Sequence, residues 1–221
     1  MNPLHDRDLR QRDIIPPEAL AQTRCTVIGV GAIGRQVALQ LAAIGVPSLQ
    51  LIDFDKVEAV NLAPQGYLQD DLDRPKVQAT ADLCQQINHQ LEMHEVNDRY
   101  RRSTAVGDCI FACVDRIETR KVIYEAVRDH AAFFCDGRMS AEVVRVLACD
   151  ARTGWDHYPD TLFAPETSFQ GVCTAKSTIF TANIAAGLML EQFSRHLRRM
   201  PIDPDLQLNL LASELNLGSP V

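Results

Sequence analysis

The sequence predicts a doubly wound α/β fold: a mainly parallel sheet with helices on both faces and some antiparallel strands toward its C-terminal half. Three observations carry that prediction. Short apolar runs alternate with helix-period segments, the pattern of repeated strand–helix–strand units. The first strand–helix junction is rich in glycine, as in sheets that take a nucleotide at a topological switch point. Two later apolar runs, within 131–150, are joined too closely for a helical crossover and so form a hairpin or bend. A chain of 221 residues suits one domain over 1–221 better than two.

Residues 25–31, CTVIGVG, are an apolar run ending in glycine, the form of a buried parallel strand. Ile33, Val37, Leu41 and Ile44 then recur at helical spacing until Gly45 and Pro47 stop the helix. SLQLIDF, 48–54, is the second strand. RPKVQATADLCQQINHQ, 74–90, is helical with a proline in its first turn, and LEMHEVN, 91–97, alternates as a third strand. DCIFACV, 108–114, is the fourth strand and 116–130 the helix after it. AAFFCDG, 131–137, and EVVRVLACD, 142–150, make the close pair. An irregular stretch, 151–172, precedes the longest helix, 174–200, which Pro201 closes. The tail from 203 contributes one strand.

Composition excludes several classes. Hydrophobic residues make up 46% and charged residues 23%, the balance of a soluble globular protein. The net charge of −7 argues against broad binding to nucleic acid or anionic lipid. No run approaches the roughly 18 apolar residues that span a bilayer. The opening MNPLHDRDLRQRD is charged and shows no secretory signal, so a cytoplasmic protein without membrane or nucleic-acid partners is expected. Seven cysteines include no C-x-x-C pair and several sit in apolar runs, where thiols behave as small hydrophobes. Zinc is therefore not expected.

Gly29, Gly31 and Gly34 spell G-x-G-x-x-G between the first strand and its helix. Such spacing tightens the turn, lets backbone approach a phosphate and lets helix pack on strand, and the helix N-terminus offers free N–H groups to an anion. Asp53 closes the second strand, at the distance where a carboxylate accepts from ribose hydroxyls. These residues indicate a Rossmann-like nucleotide site without saying which nucleotide it takes.

The continuation is more specific. Asp53, Asp55, Val57, Asn61 and Leu62 form D-x-D-x-V-x-x-x-N-L, Pro75-Lys76 opens the next helix, and Asp115 follows the fourth strand in FACVDRIETR. RQRDII near the N-terminus is similar to R-x-x-R-Q-I, with Arg12 at its arginine. In this order the elements resemble the ThiF/MoeB (HesA/MoeB/ThiF) adenylyltransferases, which share their fold with ubiquitin-activating enzymes; the resemblance covers roughly residues 10–200.

That resemblance implies ATP with Mg²⁺ and the adenylation of a C-terminal carboxylate on a ubiquitin-like or sulfur-carrier protein ending in glycine. Two anions must meet in such a step, so cations have to cover the growing charge. By the resemblance, Lys76 reaches the α-phosphate and the attacking carboxylate, and Asp115 holds the metal. Asp53 fixes the ribose, the backbone of Gly29, Gly31, Ala32, Ile33 and Gly34 shapes the pocket, and Asp55, Asn61 and Gln65 line it. Arg12 would reach the γ-phosphate in a neighbouring subunit, which implies a homodimer.

The chain departs from the pattern at NLAPQ, where Pro64 stands at the arginine of N-L-x-R-Q, and at Arg116, where asparagine is usual. Proline cannot contact phosphate as arginine does. Arg138 in CDGRMSAE, just past a strand on the ligand side, is the candidate substitute cation. Cys173 in FQGVCTAKSTIF precedes the long helix, where the dipole and Lys176 favour a thiolate; it is read either as a capping or packing residue at the helix start or as the candidate for thioester formation. His157 and Tyr158 are read either as solvated loop residues or as contacts for a substrate tail. Two rival readings stand beside this one: a degenerate, non-catalytic member acting by binding, which Pro64 favours, and an NAD-dependent oxidoreductase, which leaves Asn61, Lys76 and Asp115 unexplained.

Overall fold

The computed structural model describes residues 7–162 and 177–218. Eight strands form one sheet in the order β3-β2-β1-β4-β5-β6-β7-β8. The strands are β1 (Arg24–Ile28), β2 (Ser48–Ile52), β3 (Glu92–Val96), β4 (Cys109–Ala112), β5 (Phe133–Ser140), β6 (Val143–Asp150), β7 (Asp205–Asn209) and β8 (Glu214–Leu217). The first five run parallel and the last three antiparallel. β1 is followed in space by β2 on one side and β4 on the other, so the strand order reverses between β1 and β4. Their C-terminal ends frame the crevice where open α/β sheets bind ligands.

Alternation along each strand sorts the core into two layers. Cys25 and Val27, Leu49 and Leu51, Cys109 and Phe111, and Phe133 and Cys135 face one side. There they meet α2 (Ala32–Ile44), α4 (Lys76–Ile87) and α6 (Ile179–Leu197), whose contributions include Val37, Leu41, Val77, Ala81, Met189 and Phe193. Ile28, Ile52, Ile110 and Phe134 face the other side, against α5 (Ile117–Val127) through Ile123, Tyr124 and Val127. A period of two in the strands and of 3.6 in the helices is what makes these faces continuous. Six described cysteines are free thiols in or beside these layers; burial pushes those of Cys84 and Cys113 up to about 12, so they stay protonated and pack.

The expected doubly wound sheet and the close pair are both present, the latter as a hairpin turning at Ala141 and Glu142 between paired Ser140 and Val143. Three expectations need correction. The long helix was expected from 174; residues 174–176 lie outside the described residues, and Ser177 and Thr178 are not helical. Thr178 is instead the N-cap, its Oγ1 accepting from the Thr181 N–H at 3.3 Å, which fixes the helix start at Ile179. The tail forms two strands, β7 and β8, because Leu206 and Leu208 pair onto β6 and a turn at 210–213 returns the chain. Two short helices went unpredicted: α1 (Pro17–Leu20) and α3 (Ala59–Gln65), the latter with Pro64 inside it. Among the described residues no helix is long and apolar enough to cross a membrane.

The far end of the sheet is held by polar links. Asp150 at the end of β6 lies 3.5 Å from His196 Nδ1 on α6 and takes hydrogen bonds from Arg152. Burial against Phe133 lowers the His196 pKa, and the nearby carboxylates of Asp150 and Asp108 only partly oppose that, while Arg152 adds to it. A histidine whose folded pKa lies below its unfolded value of about 6.5 binds its proton more readily in the unfolded chain. Its contribution is therefore complete above that value and is lost as pH falls through the lowered one. Melting temperature should drop on acidification from pH 7 to 5, and His196→Gln should flatten that slope; thermal melts of both proteins across the interval check this.

Candidate nucleotide-binding site

The turn after β1 is built by contacts that only glycine permits. Gly29 has φ +87°, and a Cβ there would lie 2.7 Å from the Cys113 carbonyl oxygen. A Cβ on Gly34 would fall 1.8 Å from the Gly29 oxygen, so α2 packs directly on the turn that precedes it. Gly31 differs: a Cβ on it would meet nothing within 4 Å. It is the N-cap of α2, no side chain caps that end, and Ala32 and Ile33 follow in the first turn. An open approach to uncapped helical N–H groups is the space a phosphate needs, so these residues fit the nucleotide the sequence implies.

Asp53 locks this turn to the neighbouring strand. Its Oδ2 accepts from the Val30 N–H at 2.6 Å and its Oδ1 from the Asp55 N–H at 2.9 Å. Each oxygen keeps a second lone pair for a ligand hydroxyl. Beyond it the chain doubles back: Lys76 N–H donates to the Asp55 carbonyl at 2.9 Å and Val57 N–H to that of Arg74 at 2.9 Å. This pairing brings Lys76, at the start of α4, to Asp55, with Nζ 3.2 Å from Oδ2. The lysine side chain is only 7% exposed and the aspartate 48%, so the buried ammonium is held by a carboxylate at the surface.

α3 follows. Asn61 Oδ1 accepts from the Glu58 N–H at 2.9 Å and caps the helix start. Gln65 carries a buried Oε1 with no partner among the described residues, an acceptor that a bound donor would satisfy. The other end of α3 is tied to the first turn of α2: Gln36 Nε2 donates to the Gln65 carbonyl at 3.1 Å and Arg35 to the Gly66 carbonyl at 3.0 Å. Arg35 also reaches Thr80 Oγ1 and lies 4.3 Å over the Tyr67 ring, whose hydroxyl donates to the Val30 carbonyl at 2.7 Å. Burial lowers the Arg35 pKa, against the pull of Tyr67 and Asp71.

Asp115 follows β4 beside the glycine turn, where the Cys113 N–H donates to the Ile28 carbonyl at 2.8 Å. It is exposed and makes no hydrogen bond or ion pair among the described residues, leaving its carboxylate free. No three His, Cys, Asp or Glu side chains gather into a cage among the described residues. A lone carboxylate of this kind suits Mg²⁺ completed by phosphate oxygens and water.

The glycine turn, Asp53, Asp55, Lys76, Asn61, Gln65 and Asp115 are thus brought to one end of the sheet. Other candidates are not. Arg12 is exposed on a segment bound to the far end of α2 by Arg7 to the Ala42 carbonyl and Gln11 to the Ile44 carbonyl. Thirteen helical residues, about 20 Å, separate it from its own glycine turn. Arg138 is on the expected side but engaged: Nε donates to Asp136 at 2.8 Å, and the two terminal nitrogens to the Thr161 carbonyl and Oγ1 at 2.7 and 3.0 Å. It does not present a free guanidinium in place of the arginine missing at Pro64. Tyr158 is buried with its hydroxyl on Asp136, and His157 pairs with Asp205, so neither is a free loop residue. Cys173 and Lys176 lie outside the described residues. Sequence reasoning missed Arg35, Gln36 and Tyr67. The available signal was a charged residue directly after the third glycine of a helix otherwise spaced for burial.

Sheet order, switch-point turn and the acid on β2 define a Rossmann-like α/β domain laid out for a nucleotide. Within that class the chain belongs to the ThiF family, whose model matches residues 6–207. It is 31% identical over 115 residues to the sulfur carrier protein ThiS adenylyltransferase of Escherichia coli, covering 49% of this chain and 46% of that protein. It is 27% identical over 206 residues to ubiquitin-like modifier-activating enzyme 5 of Drosophila willistoni, covering 81% and 50%. The chain thus spans about half the length of these curated relatives. Its fold matches the crystal structure of PaaA with a TM-score of 0.80 at 19% identity, covering 99% of this chain and 74% of the other.

Two glycine substitutions separate packing from access. Gly34→Ala, whose new methyl meets backbone, should lower stability by about 1–3 kcal/mol. Gly31→Ala should stay within about 0.5 kcal/mol of the parent, as expected where a side chain meets nothing. Denaturant melts of the two variants measure the contrast.

Proposed function

We propose that this chain is an ATP-dependent adenylyltransferase acting in the cytoplasm on a ubiquitin-like or sulfur-carrier protein with a C-terminal glycine. The observation that carries the reading is that Lys76, held by Asp55, lies with Asp53, the open glycine turn and Asp115, unpaired among the described residues, at one end of the sheet. The adenylyltransferases named among its relatives support it.

In this reading the glycine turn and the α2 N-terminus receive the phosphates, and Asp53 takes the ribose through its remaining lone pairs. A carboxylate oxygen of the partner attacks the α-phosphorus, an acyl-adenylate forms and pyrophosphate leaves. Lys76 has three N–H donors; Asp55 takes one, leaving two to cover the attacking carboxylate and the phosphate. Mg²⁺, which Asp115 would hold, offsets phosphate charge when bound. Arg12, far from its own site, would serve a second copy in a homodimer. Cys173 is the candidate for a following step, in which its thiolate attacks the acyl carbon and AMP leaves.

Pro64 favours a second reading, a member that binds without catalysing. The separating experiment is ATP–pyrophosphate exchange with a small β-grasp carrier ending in Gly-Gly, beside binding of ATP and of NAD. Exchange that depends on the carrier supports the adenylyltransferase; ATP binding with no exchange supports the binding protein; a preference for NAD sinks both. Lys76→Met should cut exchange about 10²–10³-fold with the fold retained, as for loss of one donor aimed at developing charge. Gly31→Ala should weaken ATP binding despite its unchanged stability, and Cys173→Ala should keep exchange while losing any thioester.

A further inference from the structure

Beneath the Asp115 turn lies a buried group of charges that no step above uses. Asp136 on β5 is fully buried, and its Oδ1 is ion-paired with Arg120 of α5. Its Oδ2 accepts from Arg138 Nε at 2.8 Å and from the Tyr158 hydroxyl at 2.9 Å. Arg120 has its other terminal nitrogen on the Val114 carbonyl, the residue before Asp115, and on the Gly137 carbonyl at 3.2 Å. The group holds two guanidiniums and one carboxylate. Burial, with Arg138 adding to it, pushes the Arg120 pKa down to about 10, while the nearby Asp115 carboxylate pulls the other way.

Guanidinium and carboxylate pair most strongly as a two-pronged fork. Arg120 does not do so here, because Arg138 and Tyr158 hold the second oxygen of Asp136. Arg120 is left with one oxygen and a nitrogen to spare, and that nitrogen holds the Val114 carbonyl. We propose that Arg138 is a positioning residue for the Asp115 turn: by occupying Asp136 Oδ2 it denies Arg120 the two-pronged pairing and keeps it on the Val114 carbonyl. The inference rests on the adenylyltransferase reading for its consequence at the nucleotide, though not for the contact itself.

Two substitutions in the full chain test it. Arg138→Met removes the competitor, leaves Asp136 paired with Arg120 and Tyr158, and so retains the fold. Arg138→Lys still places one donor on Asp136 Oδ2 but loses the fork on Thr161. Hydrogen exchange is read first, without ligand, at the Cys113 and Arg120 amides, which donate to the Ile28 and Arg116 carbonyls. In Arg138→Met their exchange should rise about tenfold while the amides of β1 residues 25–28 stay protected, and Arg138→Lys should restore it. Unchanged exchange in Arg138→Met, an equal rise in β1, or no rescue by lysine overturns the proposal.

Calorimetric titration of ATP with and without Mg²⁺ is read second. Arg138→Met should lose about fivefold of the Mg²⁺-dependent tightening and keep its Mg²⁺-free affinity. Equal loss in both conditions overturns the role at Asp115. If the parent protein itself binds no ATP, the adenylyltransferase reading falls, and the exchange result still decides whether Arg138 sets the turn.

Discussion

The Asp53 carboxylate stands at the end of a buried strand and accepts two backbone N–H groups that belong to different parts of the site. Val30 lies in the glycine turn and Asp55 opens the loop that returns to Lys76. One charged acceptor therefore fixes both the glycine turn and the loop that carries Lys76, and it does so with charge-assisted bonds stronger than neutral ones. With Val30 drawn to β2, α2 begins against the Gly29 carbonyl, leaving no room for a Cβ at 34. A ligand arriving here meets groups already oriented, which is the condition for electrostatic preorganisation.

Around that point the cations divide by burial. Arg35, Arg120 and Arg138 all lie in or beside the site, and all are bound to carbonyls, hydroxyls or Asp136 within the protein. They brace the elements that present the site: α3 by Arg35, the Asp115 turn by Arg120, and the 158–162 stretch by Arg138. Lys76 stands apart. It is as buried as the arginines, yet its single carboxylate partner among the described residues is half exposed. A flexible stem with a compact charge suits a group that must follow a moving anion, while planar forks suit bracing.

The parts of the fold set by apolar period were legible in the sequence, as the strands around Val27, Leu49 and Phe111 show. They could be read because burial on both faces leaves a continuous apolar run. The hairpin at 140–143 was legible from the short gap alone. What escaped were elements stabilised from outside themselves. α3 has no buried residue of its own and is held by Asn61, Arg35 and Gln36, so no hydrophobic period announced it. β8 is exposed along its length and exists through pairing with β7. The site followed the same division. Its local motif, from Gly29 to Lys76, could be read in order, whereas the engagement of Arg138 by Thr161 joins residues separated by a strand and a loop. Its position on the ligand side was foreseeable; its partners were not.

Pro64 acquires a different meaning once α3 is seen. A proline inside a helix removes one N–H, here the donor to the Val60 carbonyl, and usually costs about 3 kcal/mol. In α3 the loss is small because Val60 is 73% exposed, so its carbonyl can turn to water, and because Asn61 caps the start of the helix while Gln36 holds its end. Proline at 64 therefore gives up one exposed backbone hydrogen bond and the helix keeps its place. Substitution at this position leaves the frame intact. The departure from the family pattern is thus set on a scaffold whose Lys76, Asp53 and glycine turn remain in place.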